Sequence, residues 1–181
     1  WAREKDVFVI SDEIYRPFVY DGVRSSIARY HDDVLLLNGF SKGWAMTGWR
    51  LGYAVGPSPL IDEMTKLQQF SFVCAPSMAQ HAGLTALSID IDDYIQAYEA
   101  KRDLLCHELG DKFDFQIPGG AFYAFVRAPD DDGDGFVEEA IKHSCLVIPG
   151  SVFSERSSHF RISFAAEDRV IEKGAKVLCS L

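Results

Sequence analysis

The sequence predicts an α/β fold followed by a smaller α+β unit. Three observations lead there. Apolar, β-branched runs recur before Gly56, in "DVFVISDE", "DDVLLLNGFS" and "RLGYAVG". Helical spacing then takes over from Ser58 to Gly110. Beyond Gly110 short strands and helices alternate.

The elements follow in order. Val7 to Ile10 reads as a buried strand that ends in acids, and Val34 to Leu37 as a second. Between them "RPFVYDGVRSSIARYH" is loop-like, with Pro17 and Asp21-Gly22 as turn signals. "RLGYAVG" is a third strand, closed by "GPSP". In "SPLIDEMTKLQQFSF", Leu60, Ile61, Met64, Leu67 and Phe70 can share one helical face, and Ser58-Pro59 suits the helix start. "SMAQHAGLTALS" is a further helix after a break at Pro76. "DDYIQAYEAKRDLLCHELG" is a long amphipathic helix stopped at Gly110. "FDFQIPGGAFYAFVRAP" reads as a turn and a strand, "GFVEEAIKHSC" as a helix, and "LVIPGS" and "HFRISFAA" as strands. "EDRVIEKGAKVLCSL" is the last helix. The change of texture puts a domain boundary within the helical stretch, giving residues 1–85 and 86–181.

Composition narrows the function. The chain has 181 residues, 48% of them apolar, enough for a packed core. A formal net charge of -9 argues against nucleic acid and anionic membrane surfaces, which need a basic face. No apolar run reaches the roughly 18 residues of a membrane span. The four cysteines are scattered, as reduced thiols of a cytoplasmic protein would be. The first residues enter an apolar run at once, which reads like the middle of a longer protein.

Most polar clusters have ordinary readings. "APDDDGDGF" fits the first half of a calcium loop, but the position that needs a bidentate Glu is Ile141, so a solvated turn capping the next helix is favoured. The five histidines lack metal-ligand spacing, and no metal is expected. Asp12 and Lys42 stand out because each closes a strand, and ligands in α/β sheets collect beyond the carboxyl ends of strands. Spacing alone leaves both a shared site and the plain alternatives open: Asp12 as a turn cap, Lys42 as a surface charge.

Five motifs, "SDEIY", "NGFSK" with "AMTGWRLGYAVG", "PGGAFYAF", "VIPGSVF" and "FRISFA", occur in this order. Together they resemble the class I and II aminotransferases, fold type I enzymes of pyridoxal phosphate (PLP), and most closely their aspartate and aromatic branch. The likeness covers about the C-terminal half of such an enzyme. It implies the C-terminal part of the large PLP-binding domain, a mostly parallel sheet with helices, followed by a small α+β domain.

The resemblance also implies roles. Lys42 matches the Schiff-base lysine that shuttles a proton between the substrate Cα and the cofactor. Asp12 matches the acid paired with the pyridine nitrogen, so that the ring can act as an electron sink. Tyr15 matches the phenol bonded to the ring oxygen. Ser41 and Arg50 match phosphate ligands, and Arg161 the fork that grips the substrate α-carboxylate. Two positions depart from the family pattern. Gly39 stands where one branch has a second phosphate-binding serine, and Ser154 where glycine is common.

The implied activity is ping-pong transfer of an amino group from an amino acid to a 2-oxo acid. The alternatives are a lyase or synthase of the same fold, a PLP-sensing regulatory module, or a truncated non-catalytic paralogue. Groups supplied by the other half of relatives are missing, so the isolated residues are expected to bind PLP weakly or not at all. The full-length protein is expected to be a homodimer. "FSFVCAPSMAQ" reads either as the segment that reaches the neighbouring subunit's phosphate site or as a plain helix start.

Overall fold

The computed structural model describes residues 1–181. The chain divides into two compact units, Trp1–Asp92 and Asp93–Leu181.

In the first unit, β1 (Val9–Asp12), β2 (Val34–Gly39) and β3 (Gly52–Val55) form one sheet in that order. Of the mostly parallel sheet expected, the chain thus contains a parallel β1–β2 pair and an antiparallel β2–β3 pair. The central strand carries the apolar run "VLLL", and Val34, Leu35 and Leu36 are buried. The first strand is less buried than its sequence suggests. It starts at Val9, and Val7, Phe8 and Ile10 are exposed. Successive side chains of a strand point to opposite faces, and the face that carries Ile10 and Asp12 is exposed.

Two helices follow. Pro57 and Pro59 start α1 (Ser58–Ser71), and Pro76 precedes α2 (Ser77–Ala86), where a missing N–H costs least. The expected stripe on α1 splits. Leu60, Ile61 and Met64 are half-buried, while Leu67 and Phe70 lie open at 70% and 90% exposure. The reason is local: only the first half of the helix packs on its own unit. Under the loop that leaves β2, Phe40, Met46, Leu51 and Ala86 form a core cluster, flanked by Trp44, Ala75 and Ala82.

The second unit begins within α3 (Asp92–Leu109). Its sheet has the order β4 (Tyr123–Arg127), β6 (His159–Ser163), β5 (Ile148–Pro149), all antiparallel. One face is core: Ala124, Val126, Phe160 and Ile162 are buried. α4 (Gly133–Lys142) and α5 (Asp168–Leu178) complete it, with Val137, Ala140, Ile171, Ala175 and Leu178 inside. The acidic turn before α4 is a cap. Asp132 Oδ1 accepts from the Gly135 N–H at 2.9 Å, and Asp131 forks onto Arg127 at 2.6 and 2.8 Å. That hydrogen bond holds the Asp131 carboxyl below its ordinary pKa.

Candidate functional site

Register brings three separated stretches to one end of the first sheet. In the parallel pair Asp12 lies opposite Leu37, so β1 ends at Asp12 just before β2 ends at Gly39. Ser41 and Lys42 follow directly. β3 runs back from Gly52, the partner of Gly39, which leaves Arg50 at the same end. This is the carboxyl end of both parallel strands, where ligands in open α/β sheets collect.

Asp12 turns its side chain outward, and its Oδ1 accepts from the Ile14 N–H at 3.1 Å. The turn-cap reading therefore describes this oxygen. The chain then turns: the Phe18 N–H donates to the Tyr15 carbonyl at 2.9 Å, and Phe18 is buried. Tyr15 is half-buried, and Lys42 Nζ lies 5.8 Å from its ring centroid. Gly43 permits this approach. A Cβ there would stand 3.1 Å from Pro17 Cγ, so the absent side chain lets the Tyr15–Phe18 turn pack on the Lys42 loop.

The loop from Phe40 to Leu51 is internally tied. The Phe40 N–H donates to the Leu51 carbonyl at 3.2 Å, and the Met46 N–H to the Phe40 carbonyl at 3.2 Å. Thr47 Oγ1 donates to the Ser41 carbonyl at 2.9 Å, and Arg50 Nη1 to the Thr47 carbonyl at 2.8 Å. Thr47 thus links Ser41 to Arg50. Arg50 has φ 51°, a left-handed conformation uncommon for a side-chain-bearing residue and a marker of imposed geometry. Gly39 also has a local reason. A Cβ there would meet the Leu51 carbonyl oxygen at 3.0 Å and Gly52 Cα at 3.2 Å, so the close β2–β3 approach leaves little room for a serine.

Arg161 belongs to the second unit, on the open face of β6. Its guanidinium lies 4.4 Å from the Tyr123 ring centroid and 4.3 Å from that of Phe153. Two aromatic rings within cation–π distance help hold the fork, and its N–H donors suit a carboxylate.

Sequence reasoning missed two buried charges. Glu13 is 8% exposed and accepts from several donors around it. Arg102, on α3, is 7% exposed and bonds the Pro118 carbonyl, Glu99 and Asp103. Acids at Glu99 and Asp103 were the only signal for the second.

Comparison with known proteins is consistent over nearly the whole chain. The family model for aminotransferase class I and II matches residues 1–178. A protein of Methanocaldococcus jannaschii named as a probable aspartate aminotransferase is 35% identical, over 98% of this chain and 50% of its own length. The aromatic-amino-acid aminotransferase 2 of Thermococcus litoralis is 33% identical, over 96% of this chain and 48% of its own. Among solved structures, an aromatic aminotransferase of Pyrococcus horikoshii aligns with a TM-score of 0.93 at 33% identity, over 99% of this chain and 52% of its own. An aspartate aminotransferase of Thermotoga maritima aligns with a TM-score of 0.92 at 29% identity, over 99% and 48%. The chain spans about half the length of the relatives it matches.

Proposed function

The chain belongs to the class I and II aminotransferases, and on that premise we propose that it is the lysine-bearing half of a PLP-dependent amino-acid aminotransferase of the aspartate aminotransferase kind. The observation that carries the reading is the gathering of an amine, a carboxylate, a phenol, a hydroxyl and a guanidinium at one sheet end. That donor set suits the cofactor: an anion for a ring N–H, a phenol for a ring oxygen, an amine for an aldehyde, and cation plus hydroxyl for a phosphate.

When bound, PLP supplies an aldehyde carbon and an electron-accepting ring. Lys42 Nζ would be the amine that holds the aldehyde, and the same amine would serve as the base that moves a proton at the substrate Cα. The Asp12 carboxylate would hold the ring N–H and the Tyr15 hydroxyl the ring oxygen. Ser41 Oγ and the Arg50 guanidinium would hold the phosphate, and the Thr47 bonds tie the Ser41 and Arg50 ends of their loop together. Arg161 grips the substrate α-carboxylate, its aromatic neighbours fixing the plane of the fork.

In this reading residues 1–85 are part of the large cofactor-binding domain and residues 86–181 the small one. The substrates are an amino acid and a 2-oxo acid. The full-length protein is cytoplasmic, in keeping with four free thiols, and no helix is long and apolar enough to cross a membrane. It is a homodimer, a reading supported by the neighbouring exposed side chains Phe70, Phe72, Val73 and Met78.

The test is a half-reaction with the full-length protein and single amino acids. Formation of pyridoxamine phosphate and a 2-oxo acid supports the reading. Release of ammonia with pyruvate instead would assign a lyase, and no reaction with any amino acid would remove the enzyme reading.

A further inference from the structure

Between Asp12 and Tyr15 lies a buried carboxylate to which the proposed chemistry gives no task. Glu13 Oε1 accepts from Ser26 Oγ at 2.7 Å, Ser11 Oγ at 3.3 Å and the Ile27 N–H at 3.3 Å. Its Oε2 accepts from Arg16 Nη1 at 3.1 Å. Four donors from two chain segments satisfy one buried charge, which is the condition for burying it at all. The backbone helps: the Glu13 N–H donates to the Leu37 carbonyl at 2.8 Å, carrying the β1–β2 ladder one residue past Asp12. Along a strand alternate side chains face opposite sides. With Ser11 and Glu13 drawn inward, Asp12 is left to the outer side. The Arg16 N–H closes the next turn onto the Glu13 carbonyl at 2.9 Å, and Tyr15 lies inside that turn.

We propose that Glu13 is a positioning residue. Its carboxylate clamps the Ser11–Arg16 segment to Ser26 and Ile27, so that the Asp12 carboxylate and the Tyr15 phenol are presented together to the cofactor ring. This rests on the roles given above to Asp12, Tyr15 and Lys42. A glutamine would keep the shape and one accepting oxygen, but its NH2 would then meet either the Arg16 guanidinium or the Ile27 N–H, donor against donor.

The experiment uses full-length protein and three readouts: the PLP dissociation constant, the pH midpoint of the bound cofactor's absorption band, and the melting temperature of the cofactor-free form. Glu13→Gln is expected to raise the dissociation constant about tenfold, the lower end of what losing the partner that orients a metal ligand costs, and to displace the pH midpoint. Arg24→Ala is the control, since Arg24 pairs with Asp92 at the surface of the same connection at 2.5 Å. It should leave the dissociation constant and the pH midpoint unchanged. A lower melting temperature for Glu13→Gln with unaltered affinity and band would overturn the proposal. Where Glu13→Gln does not fold, Ser26→Ala removes the shortest of the four bonds and keeps the carboxylate. A smaller rise in the dissociation constant with a displaced band supports the clamp, and unchanged values overturn it. Failure of the underlying site is separately visible: the unaltered protein would then show no bound-cofactor band, or Lys42→Ala would retain it.

Discussion

Lys42 Nζ stands 5.8 Å from the centre of the Tyr15 ring, although the two residues leave different strands. Their approach depends on Gly43, whose bare Cα lets Pro17 close over the loop. Gly43→Val is therefore expected to push the Tyr15 turn away. Overpacking of this kind costs about 1–3 kcal/mol. Thermal unfolding should show the loss, and PLP titration of the full-length protein should show weaker binding. A variant with unaltered melting and affinity would mean that the Gly43–Pro17 contact does not set this spacing.

Thr47→Val removes the hydroxyl that donates to the Ser41 carbonyl while keeping the side-chain shape. One such bond is worth about 1 kcal/mol, or about fivefold in an equilibrium constant. The expected result is a PLP dissociation constant raised by about that factor, with Arg50→Lys weakening binding further because the planar fork is lost. Equilibrium titration of the full-length protein measures both.

Arg161→Lys keeps a positive charge but loses the fork and the guanidinium's contacts with the Tyr123 and Phe153 rings. Charge-assisted hydrogen bonds contribute about 1.5–3 kcal/mol, so kcat/KM for amino acids should fall between about tenfold and a hundredfold. The cofactor band should stay in place. Steady-state kinetics across several amino acids, with absorption spectra alongside, separates substrate binding from cofactor binding.

Tyr98 gives a pH prediction. Burial first, then the hydrogen bond with Tyr94 and its nearby charge, push the Tyr98 hydroxyl up to about 12. The folded value lies above the ordinary value of roughly 10. Any stability linked to the neutral phenol is thus fully present below pH about 10 and is lost as pH rises through about 12. Tyr98→Phe should remove a late-titrating step from the phenolate absorbance. Tyr94→Phe should move it down, though short of the ordinary value, because burial is the larger cause.

How much of this was legible in the sequence depends on what each residue needs to know of its neighbours. The "VLLL" strand was readable because a central strand is buried on both faces and looks apolar throughout. The "VFVI" run looks the same but lies at a sheet edge, and nothing local marks that. On α1 the periodic stripe was readable, yet only its first half finds packing within the unit. Strand ends drew attention to Asp12 and Lys42, but their common end rests on parallel register, and the Tyr15 approach on a glycine facing a proline. Glu13 was invisible for the same reason: Ser26 and Ile27, which satisfy it, are distant in sequence. The aromatic clamp on Arg161 joins Tyr123 and Phe153 from outside its own motif, so the arginine was readable and its support was not.

The most direct test of the central claim is to identify the residue that carries the cofactor. Full-length protein is loaded with PLP, reduced with borohydride to fix the lysine–cofactor bond, digested, and the modified peptide located by mass spectrometry. The expected result is one modified lysine per chain, Lys42, within the peptide that contains Ser41 and Gly43. Modification of a different lysine, or no stoichiometric modification of Lys42, would contradict the account.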